Sequence, residues 1–201
     1  MKLDYYYWTF PDAVSEEKRN TILTGLQDKQ FEEGLISRDG GLVEDKKKRN
    51  NSVAFLCDQF SKDIFIPYIN GSNKSSGWNY DIDWLEDVQV SKYGIDKHYG
   101  WHHDAMKFSH DNGKGHHINY KGKERKLTAL TLLSDDFSGG EFELSHQILG
   151  ANNNTEIEVL PVDLPLGTIL VFPSFLCHRV KPVTRGIRHS MQLWSWGPLF
   201  K

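Results

Sequence analysis

The chain has 201 residues with a formal charge of −3, 12% aromatic residues and only two cysteines. That length can bury roughly 70% of the unfolded surface, and the six Trp and eleven Phe suit a folded core rather than a disordered chain. The near-neutral charge argues against a general nucleic-acid or membrane-surface binder, and Cys57 and Cys177 form neither a disulfide framework nor a zinc ribbon.

No stretch approaches the ~20 apolar residues of a membrane span, and the opening Met1-Lys2-Leu3-Asp4-Tyr5 lacks a secretory signal. These features predict a soluble cytoplasmic protein. An aromatic strand spans Tyr5 to Phe10. Ser15-Glu16-Glu17 then reads as an N-cap followed by acidic residues, and Ile22, Leu23 and Leu26 share one face, predicting a helix from about Ser15 to Glu33. Gly34 and Gly40-Gly41 end it. Lys46-Lys47-Lys48-Arg49 reads as a solvated loop, because no aromatic residue interleaves with it.

Ser52 to Cys57 alternates as a strand, Ser61 to Asn70 reads as a helix, and Gly71 to Gly77 as a turn or loop. Beyond Trp84 the texture changes to short strands: Asp87 to Tyr93, Tyr99 to Asp104, Lys126 to Leu133, Glu141 to Leu144, Glu156 to Leu160, Thr168 to Phe172, and Ile187 to Trp196. Ser138-Gly139-Gly140 and Pro165-Leu166-Gly167 punctuate them. Many short strands with helices outside predict a mainly β sandwich or barrel. The expected organisation is one domain over 1–201, with an N-terminal strand and helices (about 1–83) supporting a β core at about 84–198.

The residues that carry chemistry lie in that core. His102-x-Asp104 alone means little, since about one His-x-acid pair is expected by chance among nine histidines. On a strand, however, residues two apart share a face, so His102 and Asp104 converge and His103 points away. His178, after a strand and a Pro-containing turn, is the third candidate. Two imidazoles and one carboxylate make the facial triad of a non-haem Fe(II) site, with positions left for other ligands. His98, His110, His116, His117 and His146 lie in polar, loop-like contexts and read as exposed.

Arg188 follows His178 by ten positions, with Ser190 on the same strand face. A guanidinium inside a barrel needs an anionic partner. A dicarboxylate such as 2-oxoglutarate, gripped bidentately at its far end, meets that need.

Five stretches carry a resemblance: Gln89-Val90-Ser91-Lys92-Tyr93; Tyr99-Gly100-Trp101-His102-His103-Asp104-Ala105; Arg125-Lys126-Leu127-Thr128; Ser134 through Phe142; and Phe172-Pro173-Ser174 through Trp194. In these the chain resembles the Fe(II)/2-oxoglutarate oxygenases, in the prolyl 4-hydroxylase-like branch that includes the PKHD-type hydroxylases. The resemblance runs from about Glu86 to Pro198. It implies a double-stranded β-helix (jelly-roll) core with His102, Asp104 and His178 on iron and Arg188 on the 2-oxoglutarate C5 carboxylate. It further implies that Tyr93 hydrogen-bonds the co-substrate, that Trp194 walls its pocket, and that Thr131 and Ser190 touch it. Tyr99 and Trp101 are the candidate substrate-pocket residues, with core packing the alternative for Trp101, Trp78 and Trp84.

The implied reaction couples decarboxylation of 2-oxoglutarate to hydroxylation of a prolyl residue in a peptide or protein, with ascorbate binding as a reductant. The alternatives are the same chemistry on a small molecule or nucleotide, or a cupin-type metal binder that uses no 2-oxoglutarate. Asp96-Lys97 departs from the Gly-Gln common in the family, and Arg188 departs from the Lys of collagen-type enzymes. The long polar stretch from Met106 to Arg125 follows the first two ligands and reads as a substrate lid.

Overall fold

The computed structural model describes residues 3–38, 41–108, 122–149 and 155–200. Alternation within the strands explains the layering. Leu127, Ala129, Ile169, Val171, Met191 and Leu193 point one way, into a core shared with Ile22, Ile64, Phe65 and Ile69 of the helices. Leu130, Leu170 and Phe172 point the other way, towards Phe142, Leu144, Leu176 and Val180 of a second sheet. Helices therefore cover one face of a large sheet, and its other face closes on a smaller sheet as a jelly roll.

The large sheet places Trp8–Phe10 at one edge, then Ile169–Pro173, Lys123–Leu132, Arg188–Pro198, Val88–Tyr93, Ser52–Leu56 and Glu32–Glu33. The smaller sheet runs Thr155–Val162, Phe142–Leu149, Cys177–Val180, His98–His102 and Arg49–Asn50. Every pairing in both is antiparallel.

Four expectations change. The first helix spans only Glu16–Gly25, capped by Ser15, which accepts from the Lys18 amide. Past Leu26 the next apolar side chain is Phe31, so no stripe remains to bury, and Glu32–Glu33 instead pairs with Ser52 and Val53. The second predicted helix is two: Gln59–Asp63, capped by Asp58, and Ile66–Ser75, with Pro67 in its first turn where a missing N–H costs nothing. That second helix runs through most of the Gly71 to Gly77 stretch that reads as loop. Within it the hydroxyls of Ser72 and Ser76 donate to the carbonyls of Ile69 and Ser72. Finally, Arg49 leaves the predicted solvated loop to form an edge strand with Asn50 on His98–His102, its side chain donating to Asn51 Oδ1 and the Leu35 carbonyl.

No helix among the described residues is long and apolar enough to cross a membrane. Of the predicted lid, 109–121 lie outside the described residues, as do His110, His116 and His117. Its described ends are tied together by pairing of Lys107–Phe108 with Lys123 and Glu124.

Candidate metal centre

The strand ending at His102 and the strand holding His178 are neighbours in the smaller sheet, and the two histidines are direct cross-strand partners. Asp104 follows on the next turn of chain, pinned by its amide donating to the Ser174 carbonyl. One ligand atom from each of the three residues lies within 4.8 Å of the others. The nearest approaches are 3.7 Å from His102 Nε2 to Asp104 Oδ1 and 3.5 Å from His178 Nε2 to Asp104 Oδ2.

The backbone sets the tautomers. His102 Nδ1 faces the Gly100 carbonyl at 2.9 Å and His178 Nδ1 faces the Leu176 carbonyl at 3.0 Å. A carbonyl only accepts, so Nδ1 carries the proton in both rings and both Nε2 lone pairs point at the common centre. Burial, then the neighbouring His178, push the pKa of His102 well below 6.5, so it stays a neutral ligand. Burial pushes the Asp104 pKa up, but His178, His102, Arg125 and the Trp194 N–H outweigh it and hold the carboxyl at about 2. Two neutral imidazoles and an ionised carboxylate are the donor set of an Fe(II) facial triad.

Beyond the triad, the smaller sheet carries an irregularity. The ladder pairs His178 with His102 but Val180 with Tyr99, so one extra residue is accommodated and both Tyr99 and His102 turn inward. The Tyr99 ring lies flat on His102, 3.4 Å between centroids at 9°. Burial raises the Tyr99 hydroxyl to about 12, which keeps it protonated. Trp101 faces the other way, against the Arg179 guanidinium at 4.6 Å, which itself pairs with Glu143 at 2.6 Å on the outer surface of the sheet. The expectation that Trp101 lines the substrate pocket is therefore corrected.

Deeper between the sheets, Arg188 is 1% exposed and stands opposite Tyr93, whose ring lies 5.4 Å from the guanidinium. Its Nη1 donates to Ser190 at 2.9 Å, while its Nε has no partner. Among the described residues no carboxylate pairs with it. Burial lowers its pKa. A fixed, dry cation with an orphaned donor fits a ligand carboxylate. Gly140 makes room for it: at φ +66°, a Cβ there would lie 2.8 Å from Arg188 Cδ.

Ser190 shares the strand face of Arg188. Thr131 does not: it shares the facing of Leu127 and Ala129, towards the helices, and its hydroxyl donates to the Leu132 carbonyl at 3.4 Å. Thr128 is the inward threonine, donating to Asp104 Oδ2 at 2.9 Å. The Trp194 Nε1–H donates to the same oxygen at 2.9 Å. Arg125 stacks 4.2 Å from the Trp194 ring and pairs bidentately with Glu86 at 2.5 and 2.8 Å. Gln192 and Gln89 donate to Ser91 on the strand face shared by Arg188 and Ser190. His146 is nearly buried, stacked on Tyr6 and facing Glu158 at 3.2 Å, rather than exposed. Only the indole N–H of Trp194 was a signal available in the sequence for this network.

The family model described as the 2OG-Fe(II) oxygenase superfamily matches residues 88–196, which contain the triad and Arg188. The chain belongs to this superfamily. Members use Fe(II), 2-oxoglutarate and dioxygen, and the donor set and orphaned guanidinium of this oxygenase chain fit the first two. A PKHD-type hydroxylase of Xylella fastidiosa (strain 9a5c) is 31% identical over 102 residues, 51% of this chain. This chain spans 40% of that relative's length. A prolyl-4-hydroxylase from Pseudomonas putida has a similar structure, at TM-score 0.65 and 11% identity, covering 96% of this chain and 93% of that one. So does a prolyl hydroxylase from Trichoplax adhaerens in complex with a hypoxia inducible factor oxygen degradation domain peptide fragment, at TM-score 0.62 and 20% identity, covering 96% and 84%. These two show the shared jelly-roll fold.

Proposed function

We propose that this chain is a hydroxylase that couples oxidative decarboxylation of 2-oxoglutarate, giving succinate and CO2, to insertion of one dioxygen atom into a substrate C–H bond. The substrate class we assign is a prolyl residue in a peptide or protein. The observation that carries the reading is Arg188: a buried cation with an unpartnered Nε, in the same barrel as the His102, Asp104 and His178 triad. A cupin-type metal binder has no use for such a cation. The peptide assignment is supported by the fold shared with a prolyl hydroxylase solved with a peptide.

When bound, iron and 2-oxoglutarate would supply the electrons that activate dioxygen, which is the oxidant. The chain's own part is to present and shield. His102 and His178 offer Nε2, fixed by carbonyls behind them, and Asp104 offers a carboxylate that remains ionised at any physiological pH. Arg188, with Ser190 beside it and Tyr93 across from it, receives the far carboxylate of the co-substrate. Phe142 and Phe172 pack against His178 and exclude water from that side.

Purified protein incubated with Fe(II), 2-oxoglutarate, ascorbate as reductant and oxygen should release succinate slowly, and faster with proline-containing peptides. Asp104→Ala should release none. Turnover stimulated by a small molecule or nucleotide but not by peptides would overturn the substrate class alone. Failure of the wild type to bind either Fe(II) or 2-oxoglutarate would overturn the whole reading.

A further inference from the structure

Asp104 Oδ2 has two lone pairs in the carboxylate plane, and protein donors occupy it twice. Thr128 Oγ1 and Trp194 Nε1 each donate to it at 2.9 Å. These two residues are direct cross-strand partners, so register alone aims both at one oxygen. The direction of the hydroxyl chain is also determined. Thr128 Oγ1 donates to Asp104 Oδ2, so its single proton is spent there. Ser174, fully buried and 3.0 Å from Thr128 Oγ1, must then be the donor to Thr128. Glu86 and Arg125 brace the far side, the guanidinium lying on the Trp194 ring.

From this geometry we infer that Thr128 and Trp194 are positioning residues that restrict Asp104 to ligation through Oδ1 alone. The consequence is arithmetic, and it rests on the functional reading given above. An octahedral ion held on one face by three protein atoms offers three positions to other ligands. Chelation by 2-oxoglutarate takes two, and dioxygen needs the third. A carboxylate free to bind through both oxygens would claim that third position and leave a filled, unreactive shell. Saturating Oδ2 with donors keeps the position available before any substrate arrives.

The test counts exchangeable water on Mn(II), a spectroscopic stand-in for Fe(II), by water-proton relaxation, with and without saturating 2-oxoglutarate. The wild type should hold about three exchangeable waters with Mn(II) alone and about one once 2-oxoglutarate is added. Thr128→Val and Trp194→Phe each free one lone pair of Oδ2, so either should show about one water fewer in both states. Thr128→Ser keeps the donor and should restore the wild-type count, which a mere packing defect at this buried site would not do. Having two independent variants keeps the test open if one does not fold. Variants that bind Mn(II) and 2-oxoglutarate with the wild-type water count would overturn the inference and leave the functional reading standing. A wild-type chain that bound neither ligand would instead overturn the functional reading.

Discussion

Replacing Arg188 with Met should make the ligand-free protein more stable while removing its response to 2-oxoglutarate. An uncompensated charge in a protein interior costs about 3–5 kcal/mol when created by deleting its partner, and Arg188 is in that condition in the ligand-free chain. Part of the cost is already offset. The Tyr93 and Phe137 rings lie 5.4 and 5.9 Å from the guanidinium, worth about 0.5–2 kcal/mol each, and Ser190 accepts one hydrogen bond. The net gain on substitution is therefore about 1–2 kcal/mol, or roughly 2–8 °C in melting temperature for a chain of this length. With metal and 2-oxoglutarate at about 100 times its dissociation constant, the wild type gains about 2.7 kcal/mol by mass action. The variant, lacking a charge-assisted pair worth about 3 kcal/mol, should bind roughly 100-fold more weakly and gain little. The order of melting temperatures should thus invert between ligand-free and ligand-saturated samples. Thermal melts in both conditions, with Mn(II) present under nitrogen, check this directly. An Arg188→Met protein that melts lower than wild type without ligand, yet shifts as far with it, would refute the assignment of this cation to the co-substrate.

Other substitutions probe the frame around the site. Gly140→Ala places a Cβ 2.8 Å from Arg188 Cδ at a φ of +66°. It should cost about 1–2 kcal/mol in stability, and should raise the apparent KM for 2-oxoglutarate more than it lowers kcat. Glu86→Ala removes both carboxylate partners of the Arg125 guanidinium, and should cost about 3–5 kcal/mol, visible as a lowered denaturant midpoint. Stability should also depend on pH with a definite sign. His102 and His189 both have pKa values lowered by burial, with His178 and Lys92 respectively adding to it. Their folded forms therefore resist the proton that the unfolded chain accepts near pH 6.5. Stability should be complete above about pH 6.5 and fall on acidification through the lowered values, measured by urea unfolding of metal-free protein between about pH 5 and 8. A His189→Gln variant should lose part of that slope.

The cluster of His102, Asp104 and His178 and the buried Arg188 were legible in the sequence through their residue chemistry. Arg188 and Ser190, two apart on one strand, share a face, whereas the strand expected to reach Asp104 ends at His102 and the turn of chain after it brings Asp104 back to the two histidines. The errors fall where period-two counting breaks or has no origin. Around Gly100 the ladder accommodates an extra residue, so Tyr99 turns inward beside His102 and Trp101 is left outside, against Arg179. In the Lys123–Leu132 strand a second irregularity lies between Arg125 and Leu127. Counting along such a strand cannot say which threonine faces the barrel, and the structure chooses Thr128 over Thr131. In Lys46 to Arg49 the three lysines do stay in an exposed turn, and only Arg49 departs from the reading. Composition assigns those cations to solvent, but Arg49 finds Asn51, the Leu35 carbonyl and the Tyr99 ring, partners supplied by chain that is distant or irregular in sequence. Ligands are set by chemistry that a few residues announce. The hydrogen bonds that orient them are set by register, and register is a property of the assembled sheet.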